Sequence, residues 1–167
     1  EVIAIGEKVT KVRVGDKATA RPQQVCGKCP PCLRGDYNIC NNLKVEGFQA
    51  PGTAQDYFII PEDRIIKLPQ EMTYEEGALI EPIAVAVHAI RKAGNLQGEN
   101  VLVFGAGPIG NLVAQCAKAG GAEKVMVTEV SDFRLQKAKD CGIEFFSNPA
   151  QENIEEAVKR IFGDEGF

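Results

Sequence analysis

The chain has 167 residues, of which 44% are hydrophobic and 25% charged, and a net charge of −4. That length fits one domain or a little more and is enough to bury a real core. The acidic balance, with no basic block, speaks against a nucleic-acid partner, and no apolar run approaches the roughly 18 residues that span a membrane.

The opening, EVIAIGEKVTKVRVGDKATA, has no charged n-region and only a very short apolar run, so it is not an export signal. It begins without Met, inside a strand-like alternation, and reads as an internal start. The expected location is the cytoplasm, where clustered cysteines more often bind metal than pair as disulfides. EVIAIG and KATARP read as short strands separated by turn signals at VGDK, and a Gly-, Pro- and Asn-rich cysteine stretch follows as loop. AQDYFIIP and RIIKLP read as two more strands, each closed by Pro.

The pattern changes near Thr73. TYEEGALIEPIAVAVHAIRKAG opens with Thr73 and Glu76 in capping-box spacing. Pro82 predicts a helix break or restart, with the second piece running to Gly94. VLVFGAGPIG is a buried strand entering a glycine turn, NLVAQCAKAGG a helix and KVMVTEV a second apolar strand. SDFRLQKAKDCG is a helix capped by Ser131 and closed by Gly142, IEFFSN a short strand and ENIEEAVKRIFG a final helix. The fold class expected is therefore α/β with an all-β part, because strands alternating with helices build a parallel sheet. The predicted domains are residues 1–82 and 83–167.

Cys26, Cys29, Cys32 and Cys40 give the spacing C-x2-C-x2-C-x7-C. Four soft ligands in a turn-rich loop, helped by Pro30, Pro31 and Gly35, suit tetrahedral Zn2+. An iron–sulfur run would shorten the last gap and place Pro after the fourth Cys, where this chain has Asn41. A disulfide pair suits the expected compartment poorly, and four unmetallated thiols would oxidise. Four thiolates fill the tetrahedron, so the expected zinc is structural and takes no part in chemistry. Cys116 and Cys141 lie on helical patterns and read as ordinary buried cysteines.

Gly105, Gly107 and Gly110 form G-x-G-x-x-G between a strand and a helix, with a second strand ending at Glu129. In that context the first glycine permits the tight turn, the second a close approach to a pyrophosphate and the third close helix–strand packing. Pro108 suits the helix start, Ile109 follows it, and the helix N-terminus favours an anion. Glu129 is placed to accept from the adenosine ribose hydroxyls and to repel a 2'-phosphate, which favours NAD over NADP. Arg134 either borders the adenosine site or pairs with Asp132 or Glu129.

The GDK turn, the four-cysteine loop and the glycine turn with its acid occur in that order. Together they resemble the zinc-containing medium-chain alcohol dehydrogenase family. ALIEPIAVAVHAIRKAG resembles its polyol branch, which includes sorbitol (L-iditol) dehydrogenase. The resemblance covers essentially the whole chain. It implies a partial GroES-like β domain followed by the first half of a Rossmann doubly wound parallel sheet, with hydride moving between a secondary alcohol and NAD+. It also implies a catalytic zinc, with Glu81 at or near it, directly or through water. A Glu before Pro at a helix break is the plainer reading of Glu81. His88, the only histidine, reads as a core or domain-interface residue.

The resemblance also says what is missing. The family's early Cys and its Gly-His-Glu histidine are not in these residues, and only one mononucleotide half is present. The expectation is an internal fragment, inactive alone, of an oxidoreductase acting on a polyol or sugar alcohol. That parent is expected to be a homo-oligomer, dimer or tetramer. The competing expectation is a non-catalytic, zinc-stapled nucleotide-binding module.

Overall fold

The computed structural model describes residues 1–167, apart from the side chain of Glu165. The chain forms two compact units, Glu1–Ala78 and Leu79–Phe167.

The first unit is built on short antiparallel pairings. Strand β1 (Ala18–Ala20) pairs with β4 (Ile65–Lys67), Thr19 opposite Ile66. Strand β2 (Gln23–Gln24) pairs with β3 (Lys44–Val45), Gln24 opposite Lys44. The cysteine segment between β2 and β3 is more than loop. It holds a short helix α1 (Pro30–Arg34), started by two prolines, and a 3-10 turn at Tyr37–Ile39. Asp16, in the GDK turn, is buried and accepts from the Arg13 N–H at 2.9 Å and the Lys67 ammonium at 2.8 Å. That contact ties the turn to β4.

Two expected strands do not form. In EVIAIG, Val2 exchanges backbone hydrogen bonds with Asp16 and Gly15 at 2.9 and 2.8 Å and the Gly6 carbonyl accepts from the Val9 N–H at 3.1 Å, but no ladder forms. AQDYFIIP joins no ladder among the described residues, and Tyr57 and Ile59 are exposed. Both runs have β-favouring residues, but a strand exists only where a neighbour takes its amides and carbonyls.

Helix α2 (Tyr74–Ala93) runs without interruption through Pro82, contrary to the expected break. Its start is the predicted capping box. Glu76 N–H donates to Thr73 Oγ1 at 3.1 Å, and Thr73 N–H donates to Glu76 Oε2 at 2.8 Å. Pro82 has no N–H for the carbonyl of Ala78, and the division between the units falls directly after Ala78. The proline therefore costs one helical hydrogen bond and leaves the helix continuous.

The second unit is a parallel sheet in the order β5–β6–β7, formed by Asn100–Phe104, Lys124–Thr128 and Phe145–Ser147. Helices α3 (Pro108–Ala119) and α4 (Asp132–Asp140) make the crossovers, and α5 (Ile154–Phe162) follows β7. β6 is central and buried on both faces, which is why Val125, Met126 and Val127 form a continuous apolar run. Val103, Val125, Val127, Ala114, Ala117 and Ala138 pack on one side, and Met126, Ala157 and Phe162 on the other. Neighbouring order 1-2-3 is one half of a doubly wound sheet, with β5 at an edge.

Candidate metal centre and dinucleotide site

The Sγ atoms of Cys26, Cys29, Cys32 and Cys40 all lie within 4.8 Å of one another, with Cys29 and Cys40 3.9 Å apart. A tetrahedron with Zn–S bonds of about 2.3 Å has sulfur–sulfur edges of roughly 3.8 Å, so the donor set fits zinc. All four thiols are free, and Cys29, Cys32 and Cys40 are buried. The disulfide alternative has no support in this geometry.

The local backbone favours thiolates. The N–H groups of Cys26 and Asn42 donate to Cys40 Sγ at 3.3 and 3.4 Å. The Lys28 N–H lowers the Cys26 thiol to about 6, and the N–H groups of Cys32 and Asn41 lower that of Cys29. Cys32 goes the other way, raised to about 12 by burial and then by the neighbouring thiols. A fourth thiolate in that place needs a cation beside it, which is what a divalent metal supplies.

The dinucleotide motif is built around β5, β6 and α3. Gly105 has φ of +92°, a conformation glycine adopts without strain, and its N–H donates to the Thr128 carbonyl at 2.7 Å. A Cβ on Gly110 would sit 1.9 Å from the Gly105 carbonyl oxygen, so no side chain fits where α3 crosses the turn. Nothing lies within 4 Å of a Cβ built on Gly107, which leaves that backbone open to approach. Helix α3 starts at Pro108, and its first internal bond runs from the Asn111 N–H to the Gly107 carbonyl at 2.9 Å. The N–H groups of Ile109 and Gly110 therefore have no partner inside the helix and lie at its positive end.

Glu129 is buried at the end of β6. Its Oε1 accepts from the Ser131 N–H and its Oε2 from the Ala106 N–H, each at 3.0 Å, and Arg134 lies 3.6 Å away. These donors, Ser131 first, hold its carboxyl below the usual range despite burial. Of the alternatives open for Arg134, the structure shows the Glu129 pairing. Sequence reasoning missed Ala106 and Ser131, because both act through backbone amides and leave no side-chain signal. It also assigned Ser131 as a side-chain cap, a bond its hydroxyl does not make. Its N–H is turned back to Glu129, while Asn148 bridges the Val130 carbonyl and Asp132.

The cysteines are the one group of three or more potential metal ligands that converges among the described residues. Glu81 is exposed on α2 and belongs to no such group. His88 is exposed rather than in a core, because it lies off the α2 stripe of Ala86 and Ile90 that packs inward. Cys141 is also exposed, at the end of α4, and Cys116 is only half-buried. Among the described residues no helix is long and apolar enough to cross a membrane.

Comparison with known proteins agrees with this frame. Residues 1–70 match the alcohol dehydrogenase GroES-like domain, and residues 108–167 match the zinc-binding dehydrogenase domain. The chain belongs to the zinc-containing medium-chain alcohol dehydrogenase family. A probable D-xylulose reductase A of Aspergillus terreus is 37% identical over 164 residues, 98% of this chain and 46% of that protein. The L-threonine 3-dehydrogenase of Pyrococcus horikoshii is 39% identical over 166 residues, 99% of this chain and 47% of that one. A zinc-binding dehydrogenase structure from Sinorhizobium meliloti 1021, bound to NADP, superposes with a TM-score of 0.89 at 28% identity, covering 99% of this chain and 47% of that chain. The chain thus spans about half the length of the curated relatives it matches.

Proposed function

We propose that these residues form the structural-zinc loop and the first dinucleotide-binding half of an NAD-dependent dehydrogenase. The reaction is hydride transfer between NAD+ and a secondary alcohol, with polyols or sugar alcohols as the substrate class. The observation that carries this reading is Glu129, which is buried, ionised and locked by hydrogen bonds to the glycine turn and to the following loop. When bound, the dinucleotide supplies the hydride acceptor. The residues here bind and orient it. The free amides of Ile109 and Gly110 are the donors for its pyrophosphate, and Gly107 gives the close approach.

The carboxylate of Glu129 is the acceptor for a ribose hydroxyl beside its backbone donors, and its charge disfavours a 2'-phosphate. The NADP of the S. meliloti structure belongs to that protein. Arg134 softens the charge discrimination by its nearness to Glu129. Glu81 is read as a residue at or near the catalytic zinc. By family resemblance the other ligands of that zinc are a Cys and a Gly-His-Glu histidine outside these residues, so the 167 residues alone are expected not to turn over. The working form is read as a homo-oligomer, dimer or tetramer, in a reducing cytoplasm, with no nucleic-acid or membrane partner.

The test has two arms. Fluorescence titration of the chain with NADH and NADPH should give tighter binding of NADH, and Glu129→Gln should weaken NADH and narrow the gap. Equal binding, or a preference for NADPH, would overturn the NAD reading. For the substrate, the protein carrying the complete catalytic zinc set should reduce NAD+ with a panel of polyols faster than with L-threonine. The reverse order would give the substrate class to the threonine dehydrogenase side of the family.

A further inference from the structure

The cysteine segment is nearly isolated from the unit that carries it. Among the described residues, every hydrogen bond and ion pair made by residues 26–43 closes within that same segment. Its connection to the rest of the unit is the stem formed by β2 and β3, which pair at only two positions. The stem is extended by one backbone bond, from the Glu46 N–H to the Pro22 carbonyl at 2.9 Å.

A part-buried polar triad stands on this stem. Glu46 Oε1 accepts from Gln24 Nε2 at 2.8 Å and from an Arg64 guanidinium nitrogen. The ion pair is largely withdrawn from water, with the Arg64 side chain 12% exposed and that of Glu46 7%. Gln24 lies on β2, where the chain enters the cysteine segment, and Glu46 follows β3, where it leaves. Arg64 ends the 3-10 turn before β4, which pairs with β1, and the Arg21 N–H donates to the Arg64 carbonyl at 2.9 Å. One carboxylate therefore joins both ends of the cysteine segment to the other strand pair. Withdrawn charges of this kind hold a geometry firmly, because either partner alone is left uncompensated.

We propose that Gln24, Glu46 and Arg64 form a brace that positions the cysteine loop for its metal, with Glu46 as the central positioning residue. It touches no ligand atom. It fixes the two ends of the stem, and so the approach of Cys26 to Cys40, before zinc binds. This inference rests on the zinc reading of the four cysteines.

The test is zinc affinity, measured by competition with a chromophoric chelator on the full chain, alongside the absorption spectrum of the Co2+-substituted protein. Wild type should take one zinc, and a wild type that takes none overturns the zinc reading and the brace with it. Glu46→Gln and Arg64→Met should each weaken zinc binding about tenfold, the lower end of what removing outer-shell support costs a metal site. The double variant should be no weaker than either single one, because both remove the same interaction. The Co2+ tetrathiolate spectrum should persist in all of them, and Arg64→Lys should recover most of the affinity. Affinities within twofold of wild type, with only the melting temperature lowered, would reduce the triad to ordinary structure and overturn the proposal. If Glu46→Gln fails to fold, Gln24→Ala, which loses only the 2.8 Å bond, is read in the same assay with a smaller loss expected. Unchanged affinity there is the overturning result.

Discussion

In Leu79–Phe167, Val103, Val125, Val127 and Met126 are buried on the two faces of one parallel sheet under helices. In Glu1–Ala78 the buried apolar side chains are few, Val2, Val12 and Leu68 beside three cysteines. Its strands are two or three residues long. What the second unit gains from burial, the first must gain from side-chain chemistry. That chemistry is a four-thiol centre, Asp16 between Arg13 and Lys67, and the Glu46–Arg64 pair. Small folds with too little core are commonly held by a metal in this way. The same contrast assigns roles. The metal loop holds shape, while the sheet, rigid through its packing, presents a glycine turn and an acid at strand ends where a dinucleotide can be held.

The largest effect should come from breaking the metal centre. Cys29→Ser should abolish retention of stoichiometric zinc, read by metal analysis after gel filtration, while NADH binding in the second unit survives. Loss of both together would show that the units do not divide the work as described. Next is Gly110→Ala. Its Cβ would meet the Gly105 carbonyl oxygen, a backbone atom, at 1.9 Å. The expected cost is about 1–3 kcal/mol of stability in the second unit, as for other overpacked sites, with at least a tenfold loss of NADH affinity and unchanged zinc content.

A smaller effect is expected at the helix the two units share. Thr73→Ala removes half of the capping box of α2 and should cost about 1 kcal/mol. A thermal melt that fails to move would show that this helix is held by other contacts.

The smallest effect is with pH. In the first unit the folded-state carboxyls of Asp16, Glu46 and Glu62 are lowered, mainly by Lys67, by Arg64 and by the Lys11 N–H respectively. Groups lowered in this way stabilise the fold fully above their unfolded values, near 3.9 for Asp and 4.3 for Glu. The contribution is lost as pH falls through the folded values. In the zinc-loaded chain, stability of the first unit should therefore be flat from neutral pH to about pH 5 and decline below that. Zinc-thiolate protonation adds to the decline. In metal-free protein Cys26, lowered to about 6, brings its own decline at higher pH, so a decline beginning above pH 6 in the zinc-loaded chain is the result that would contradict the carboxylate account.

Much of the second unit was legible because its signals are local. The VMV centre of KVMVT is apolar because both faces of β6 are covered, and G-x-G-x-x-G shows where a side chain cannot fit. The cysteine spacing was equally plain, since four ligands to one ion must be near in sequence or brought near by the fold. The first unit was read less well. EVIAIG and AQDYFIIP carry strand residues but have no ladder partner here, and pairing is a property of the neighbour rather than of the run. Pro82 looked like a break, yet one lost hydrogen bond does not end a helix of 20 residues. The contacts of Glu129 with Ala106 and Ser131, and of Glu46 with Arg64, join residues through backbone amides or across long gaps. No pattern in the sequence announces either.

Hydrogen exchange followed by mass spectrometry, on the zinc-loaded chain and again after a chelator, tests the contrast most directly. The account predicts that removing zinc releases protection across residues 22–46, while the amides of β5, β6 and α3 keep theirs. Uniform loss of protection through Leu79–Phe167, or no loss anywhere, would contradict it.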